Sequence, residues 1–131
     1  MPAVRRYGGQ AVARLLKDYA AGHQVIGMGM VVGSLIDPDR IANDHIRIHA
    51  LEGRLFRTVV EDAAERRDLP TMIWREKDLH AAAAALLGRS QLEVRQTLTV
   101  LGRDVVGPWR AEQKAAATAA WMMLTSNTGS R

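Results

Sequence analysis

Residues 37–56 read DPDRIANDHIRIHALEGRLF, and the rest of the chain is organised around them. Asp37 is a typical helix N-cap with a proline in the first turn after it, and Asn43 offers a second N-cap. We therefore predict a short helical turn that stops and then restarts as a long helix over residues 44–67.

The long helix has an apolar face with three polar residues in it or beside it. Positions three, four and seven apart share one face of a helix, and the centre of this face is formed by Ile41, Ile48, Leu55 and Val59. Glu52 lies within this apolar face, and His45 and His49 lie beside it. A carboxylate that faces a core is costly to ionise without a partner. We therefore expect Glu52 to face the core and to be paired with a histidine.

These three residues, His45, His49 and Glu52, are the candidate catalytic residues. A histidine held by Glu52 can act as a general base on water. The His-x-x-x-His spacing also suits a metal ion, with Glu52 as third ligand or base, although the zinc-protease pattern His-Glu-x-x-His is absent. The sequence leaves both the metal and any other cofactor open. The alternative is structural, with Glu52 fixing the helix register through hydrogen bonds.

The length and composition of the chain exclude several classes of protein. The chain has 131 residues, a net charge of +4 and no cysteine, so it lacks a disulfide framework, a thiolate zinc site and a cysteine nucleophile. Its length predicts one globular domain, residues 1–124, followed by a disordered tail, residues 125–131. The N-terminal residues 1–10 are followed by no apolar core of the signal-peptide kind. The longest apolar run, residues 25–36, is too short and too rich in glycine to span a bilayer. We expect a soluble, cytoplasmic protein of bacterial type with no membrane partner.

Arginine supplies most of the positive charge. Its planar fork suits phosphate and carboxylate groups, which predicts nucleic acid or another phosphorylated ligand. The candidate ligand-binding residues are Arg47, Arg54, Arg75, Arg110 and Lys114. For Arg47, Arg54, Arg110 and Lys114 the alternative is simple solvent exposure. In that alternative the neighbouring Trp109 and Trp121 are core residues.

Two segments have the pattern of β-strands, residues 24–33 (QVIGMGMVVG) and 71–75 (TMIWR). The first alternates bulky side chains with glycines, so one nearly bare face allows a helix to approach closely. Its glycines lack the spacing and the strand-to-helix position of a dinucleotide fingerprint, so no nucleotide cofactor is expected. Strands joined by a helix should be parallel. We predict a helix-rich α/β fold with a small parallel strand–helix–strand unit covered by several helices.

Further helices are predicted at residues 10–21, 79–87, 91–101 and 109–124. Asp78 should cap the second of these and Gly88 should end it, while Ser90 and Glu93 form a capping box for the third. His80 falls among alanines and leucines, which favours a buried core histidine. A two-stranded sheet is thin, so residues 3–7 or a partner chain should complete it.

Two hypotheses of different classes remain open. The first is a small basic protein that binds nucleic acid or a phosphorylated ligand, with the three candidate catalytic residues in an accessible cleft as a hydrolase or nuclease. The second is a non-catalytic subunit of a homo-oligomeric or hetero-oligomeric assembly. It predicts that the His/Glu cluster is a buried structural network and that an apolar patch stays exposed on the monomer.

Overall fold

The computed structural model describes residues 24–33 and 38–129, together with Gln10, Arg14, Lys17 and Gly22. The predicted arm at residues 3–7, the N-cap at Asp37 and most of the predicted helix at residues 10–21 lie outside the described residues. The described chain divides into two compact units. The first unit contains residues 24–27 and 38–71, and the second contains residues 28–33 and 72–129.

The described elements are two strands, four α-helices and two 3-10 turns. In chain order they are β1 (Met28–Val32), a 3-10 turn (Pro38–Arg40), α1 (Asp44–Glu65), β2 (Thr71–Arg75), a second 3-10 turn (Glu76–Asp78), α2 (Leu79–Leu87), α3 (Gln91–Gly102) and α4 (Ala111–Gly129). The strands pair as a small parallel sheet. The predicted helix-rich α/β class is confirmed, although β1 is shorter than the predicted strand.

The start of α1 follows the predicted stop and restart. Asn43 is the N-cap, and its side-chain oxygen accepts a hydrogen bond from the backbone nitrogen of Ile46 at 3.1 Å. The cap satisfies one of the backbone donors that a helix leaves free at its N-terminus. The helix ends at Glu65, two residues earlier than predicted, and Asp68 then turns the chain with a φ of 56°.

The second unit is built around contacts of α4 with β1 and α2, and of α2 with α3. Its core contains Leu79, Ala83, Val94, Leu98 and Met122. Gly29 of β1 lies against the backbone of Ala119 in α4, so that a Cβ placed on Gly29 would be only 2.9 Å from the Ala119 carbonyl oxygen. The predicted close approach of a helix to the bare face of the strand is therefore confirmed.

Two of the three predicted signals at the ends of α2 and α3 are confirmed. Gly88 ends α2 with a φ of 64°. Ser90 and Glu93 form the capping box, in which Ser90 Oγ accepts from the Glu93 nitrogen at 3.1 Å and Glu93 Oε1 from the Ser90 nitrogen at 3.3 Å. Asp78 makes no side-chain cap on α2. Its carboxylate instead accepts from Arg75 Nε at 2.7 Å, because a nearby guanidinium competes with the helix amides for it.

The last helix differs from its predicted bounds at both ends. It begins at Ala111, because Trp109 leaves the helical path and packs on Gly102, while Gln113 Oε1 accepts from the backbone nitrogen of Arg110 at 3.0 Å. It continues past the predicted end at Leu124 to Gly129, since adding residues to a formed helix costs much less than nucleating one. The division into a domain of residues 1–124 and a disordered tail stays a prediction.

Candidate functional site

The His/Glu cluster lies on one open side of α1. The rings of His45 and His49 are 4.7 Å apart between centroids and nearly perpendicular. His49 Nδ1 lies 3.7 Å from Glu52 Oε2, and these two side chains are 65% and 61% exposed. The predicted neighbourhood of the three residues is therefore present, but the expectation that Glu52 faces a core is wrong.

Glu52 does not face a core because the first half of α1 is exposed. Ile48, at the centre of the predicted apolar face, is 53% exposed, and Phe56 is 64% exposed. Burial begins only at Val59. Periodicity defines which residues share a face and carries no information on what covers it. With 65% and 61% of their side chains exposed, His49 and Glu52 do not form a buried network with the other described residues. In residues 24–33 and 38–129, no three His, Asp or Glu side chains are arranged to hold a metal ion.

The candidate arginines of α1 differ in their surroundings. Arg47 donates to Asp44 Oδ1 at 2.9 Å, and the neighbouring Arg57 lies 3.4 Å from Glu61 Oε1. Such exposed pairs contribute little to stability, but each local carboxylate reduces the positive potential that a phosphate would meet. Arg54 is exposed to solvent. The side of α1 that carries Arg47, Arg54 and Arg57, which we call the arginine stripe, is thus a partly neutralised surface.

The other three predicted ligand-binding residues lie in the second unit. Arg75 is held by Asp78 through two short contacts to the same carboxylate oxygen. Arg110 and Lys114 are exposed at the start of α4.

The aromatic residues beside them belong to the core. Trp109 packs against the core, and its Nε1 donates to the carbonyl oxygen of Leu98 at 3.0 Å. Trp121 packs against the same core. The interpretation of both tryptophans as core residues is therefore confirmed, so Trp109 gives Arg110 and Lys114 no free aromatic platform. His80, predicted to be buried, is exposed on α2, because the alanines around it leave that face of the short helix uncovered.

A short turn in the second unit connects α2 to α3. Three residues, Gly88 to Ser90, join the two helices, and Gly88 supplies the left-handed conformation that the turn needs. A three-residue turn with glycine joins the two helices both in αα-hairpins and in helix–turn–helix motifs. Val94 and Leu98 anchor α3 in the core, and the guanidinium carbon of Arg89 lies 5.5 Å from the ring centroid of Trp121.

The outer face of α3 carries side chains that suit recognition of a polar ligand. An open groove of about 400 Å³ is lined by Leu92, Arg95, Gln96, Thr99, Val100 and Arg103. These residues follow helical spacing on the side opposite to the buried anchors. The carboxylate of Glu93 is engaged in the capping box. Within the described part of the chain, neither guanidinium of this face is paired with a carboxylate, so both charges are available to a ligand.

This face was missed in the sequence, although its signals were present. The helices, the glycine turn and the capping box were each predicted, but separately. The combination that marks the face is a glycine two residues before an N-cap, followed by Arg95, Gln96 and Arg103 at spacings of one, seven and eight. Reading these positions together with the apolar anchors between them would have separated an inner from an outer side of α3.

The chain matches no protein-family model, no curated protein and no solved structure. In the portion of the chain that the structure describes, the helices are all too short or too polar to span a bilayer.

Proposed function

We propose that the protein binds nucleic acid through the outer face of α3, and that its ligand is double-stranded DNA. The observation that carries the proposal is the exposure of Arg95, Gln96 and Arg103 on a helix whose opposite side is fixed by buried Val94 and Leu98. A helix anchored in this way presents its side chains in a fixed arrangement, which reduces the entropy lost on binding.

The chemistry of this face matches the edges of base pairs. Arginine can donate two hydrogen bonds to guanine or contact phosphates, and the amide of Gln96 can pair with adenine through one donor and one acceptor. Leu92 and Val100 are suited to contact the methyl group of thymine. Thr99 Oγ1 donates to the backbone oxygen of Arg95 at 3.0 Å, which leaves its lone pairs available as acceptors.

The shape of the face favours duplex DNA over other nucleic acids. The major groove of B-form DNA, about 12 Å wide, admits an α-helix, whereas the deep and narrow major groove of A-form RNA does not. Proteins that bind single strands usually stack bases on aromatic side chains, and the six residues of the groove include none. The net charge of +4 adds a general attraction to the phosphate backbone.

We propose that the protein binds DNA and does not hydrolyse it. The candidate catalytic residues stand on an open helix surface, where His49 and Glu52 are more than half exposed. A general base works best where water is excluded and the base is held in place. For a DNA-binding protein of bacterial type, we propose the cytoplasm as the location.

Fluorescence anisotropy with a labelled duplex from a random-sequence pool tests the proposal. We expect binding that weakens with salt, by about 150-fold between 50 and 200 mM if four phosphates are contacted. The double variant Arg95→Ala/Arg103→Ala should lose about tenfold or more, and the slope of log affinity against log salt should fall by about 1 per phosphate contact removed. Far-UV circular dichroism should confirm that the variant is folded.

The matched control is Arg47→Ala/Arg54→Ala, which removes the same charge from α1. It should bind DNA nearly as well as the unaltered protein. If the two double variants lose equal affinity, the α3 face has no special role. If only the α1 variant loses affinity, the arginine stripe of the first unit is the binding surface, and our assignment is wrong. Cleavage of the probe that disappears in Glu52→Gln would restore the nuclease hypothesis.

A second candidate function is favoured by one separate observation. Ile48, Leu51 and Phe56 are large apolar residues exposed on the first half of α1, and apolar surface of this kind often marks an interface. We propose as the alternative a subunit of a homo-oligomeric assembly. Light scattering after size exclusion should then show an oligomer that dissociates in Leu51→Ser/Phe56→Ser, whereas a monomer at high protein concentration would exclude the alternative.

A further inference from the structure

His45 and His49 form an exposed pair of metal-binding side chains that neither proposed function uses. They lie one turn apart on α1, with ring centroids separated by 4.7 Å. Both residues are exposed. Residues four apart on a helix lie on one face, so modest rotation of the two rings can point one nitrogen of each toward a common position in solvent.

We propose that His45 and His49 bind one divalent transition-metal ion of the class that imidazole prefers, with zinc as the ion used to test it. Neutral imidazole nitrogen is a preferred ligand of zinc, copper and nickel, at about 2.0–2.1 Å for zinc. Oxygen-preferring ions such as magnesium should not bind, because the pair offers no oxygen ligand and magnesium dehydrates reluctantly. The inference is independent of the α3 face and of its ligand.

Glu52 acts as a positioning residue rather than as a ligand. Its Oε2 lies 3.7 Å from His49 Nδ1, slightly beyond hydrogen-bond distance, and a small rotation of its side chain closes that gap. Carboxylates in this position accept the proton of one ring nitrogen and direct the other nitrogen to the metal. His49 would therefore bind through Nε2.

Two protein ligands leave the remaining coordination positions of the metal open. Water would occupy them, so binding should be weaker and more readily reversed than at a structural zinc site, which has four protein ligands. The affinity should follow the general order for divalent metals, with copper bound more tightly than nickel or zinc. It should also fall at lower pH, because protons compete with the metal for the imidazole nitrogens.

Isothermal titration of the full chain with zinc chloride, and separately with nickel and magnesium chloride, tests the proposal. We expect one zinc per chain in the micromolar range and no magnesium binding. His45→Ala and His49→Ala should each reduce zinc affinity at least tenfold, and Glu52→Gln by about tenfold, within the range known for partners of metal ligands. Alanine at these exposed helical positions preserves folding, which far-UV circular dichroism checks.

The matched control is His80→Ala, which removes an exposed histidine from α2 and should leave zinc affinity unchanged. Equal zinc binding by the unaltered protein, His45→Ala and His49→Ala would overturn the assignment. So would a loss in His80→Ala as large as in the other two. A Glu52→Gln variant that binds zinc as tightly as the unaltered protein would remove the positioning role, and the pH dependence of its affinity would then match that of the unaltered protein.

Discussion

Replacement of Gly29 by alanine should destabilise the protein through one close backbone contact. The new Cβ would lie 2.9 Å from the carbonyl oxygen and 3.1 Å from the Cβ of Ala119. Real Cβ atoms almost never approach other heavy atoms below 3.0 Å, and the carbonyl of a helix cannot rotate away. The strand and α4 must therefore separate by a few tenths of an ångström, which loosens the packing of the core.

The size of the effect follows from two opposing terms. Overpacking in a core costs about 1–3 kcal/mol, and the smaller conformational freedom of alanine in the unfolded chain returns about 0.4–1 kcal/mol. We expect a net loss of about 1–2 kcal/mol in the free energy of unfolding. With an m-value of about 2 kcal/mol/M, the midpoint of urea denaturation should fall by about 0.5–1 M.

Urea denaturation followed by circular dichroism at 222 nm measures this shift. The matched control is Gly53→Ala in α1, where an added Cβ meets no atom within 4 Å. There alanine should stabilise the helix by up to about 1 kcal/mol. If Gly29→Ala raised the midpoint as Gly53→Ala does, β1 and α4 would not be in close contact, and the expected clash would be refuted.

Three further substitutions test the second unit. Gly102→Ala should displace the Trp109 indole, which occupies the space of the new Cβ, and should increase acrylamide quenching of tryptophan fluorescence; unchanged quenching would contradict the packing. Ser90→Ala removes the capping box and should cost about 1 kcal/mol in urea denaturation, with no loss expected if the cap is absent in solution. Gly88→Ala strains a left-handed residue and should cost about 1–2 kcal/mol, and a neutral result would mean that the turn adopts another conformation.

Local signals in the sequence were sufficient for most of the fold. The bounds of β2 and α2, the N-cap at Asn43 and the capping box at Ser90 all depend on interactions within a few residues. The parallel pairing of the strands followed from their separation by a helix. The error at Asp78 arose because two local interactions compete for its carboxylate, the helix cap and the pair with Arg75. The error at Trp109 arose because its indole found a partner eleven residues away, the carbonyl oxygen of Leu98.

At the candidate site, too, the sequence predicted which residues are neighbours but not which of them are buried. The sequence by itself determined that His45, His49 and Glu52 share one side of α1, because helical spacing sets which residues are neighbours along a helix. Only the tertiary structure decided that this side is open, since burial depends on which elements pack over a face. For the same reason, only the tertiary structure separated the anchored inner side of α3 from the outer side that carries Arg95, Gln96 and Arg103.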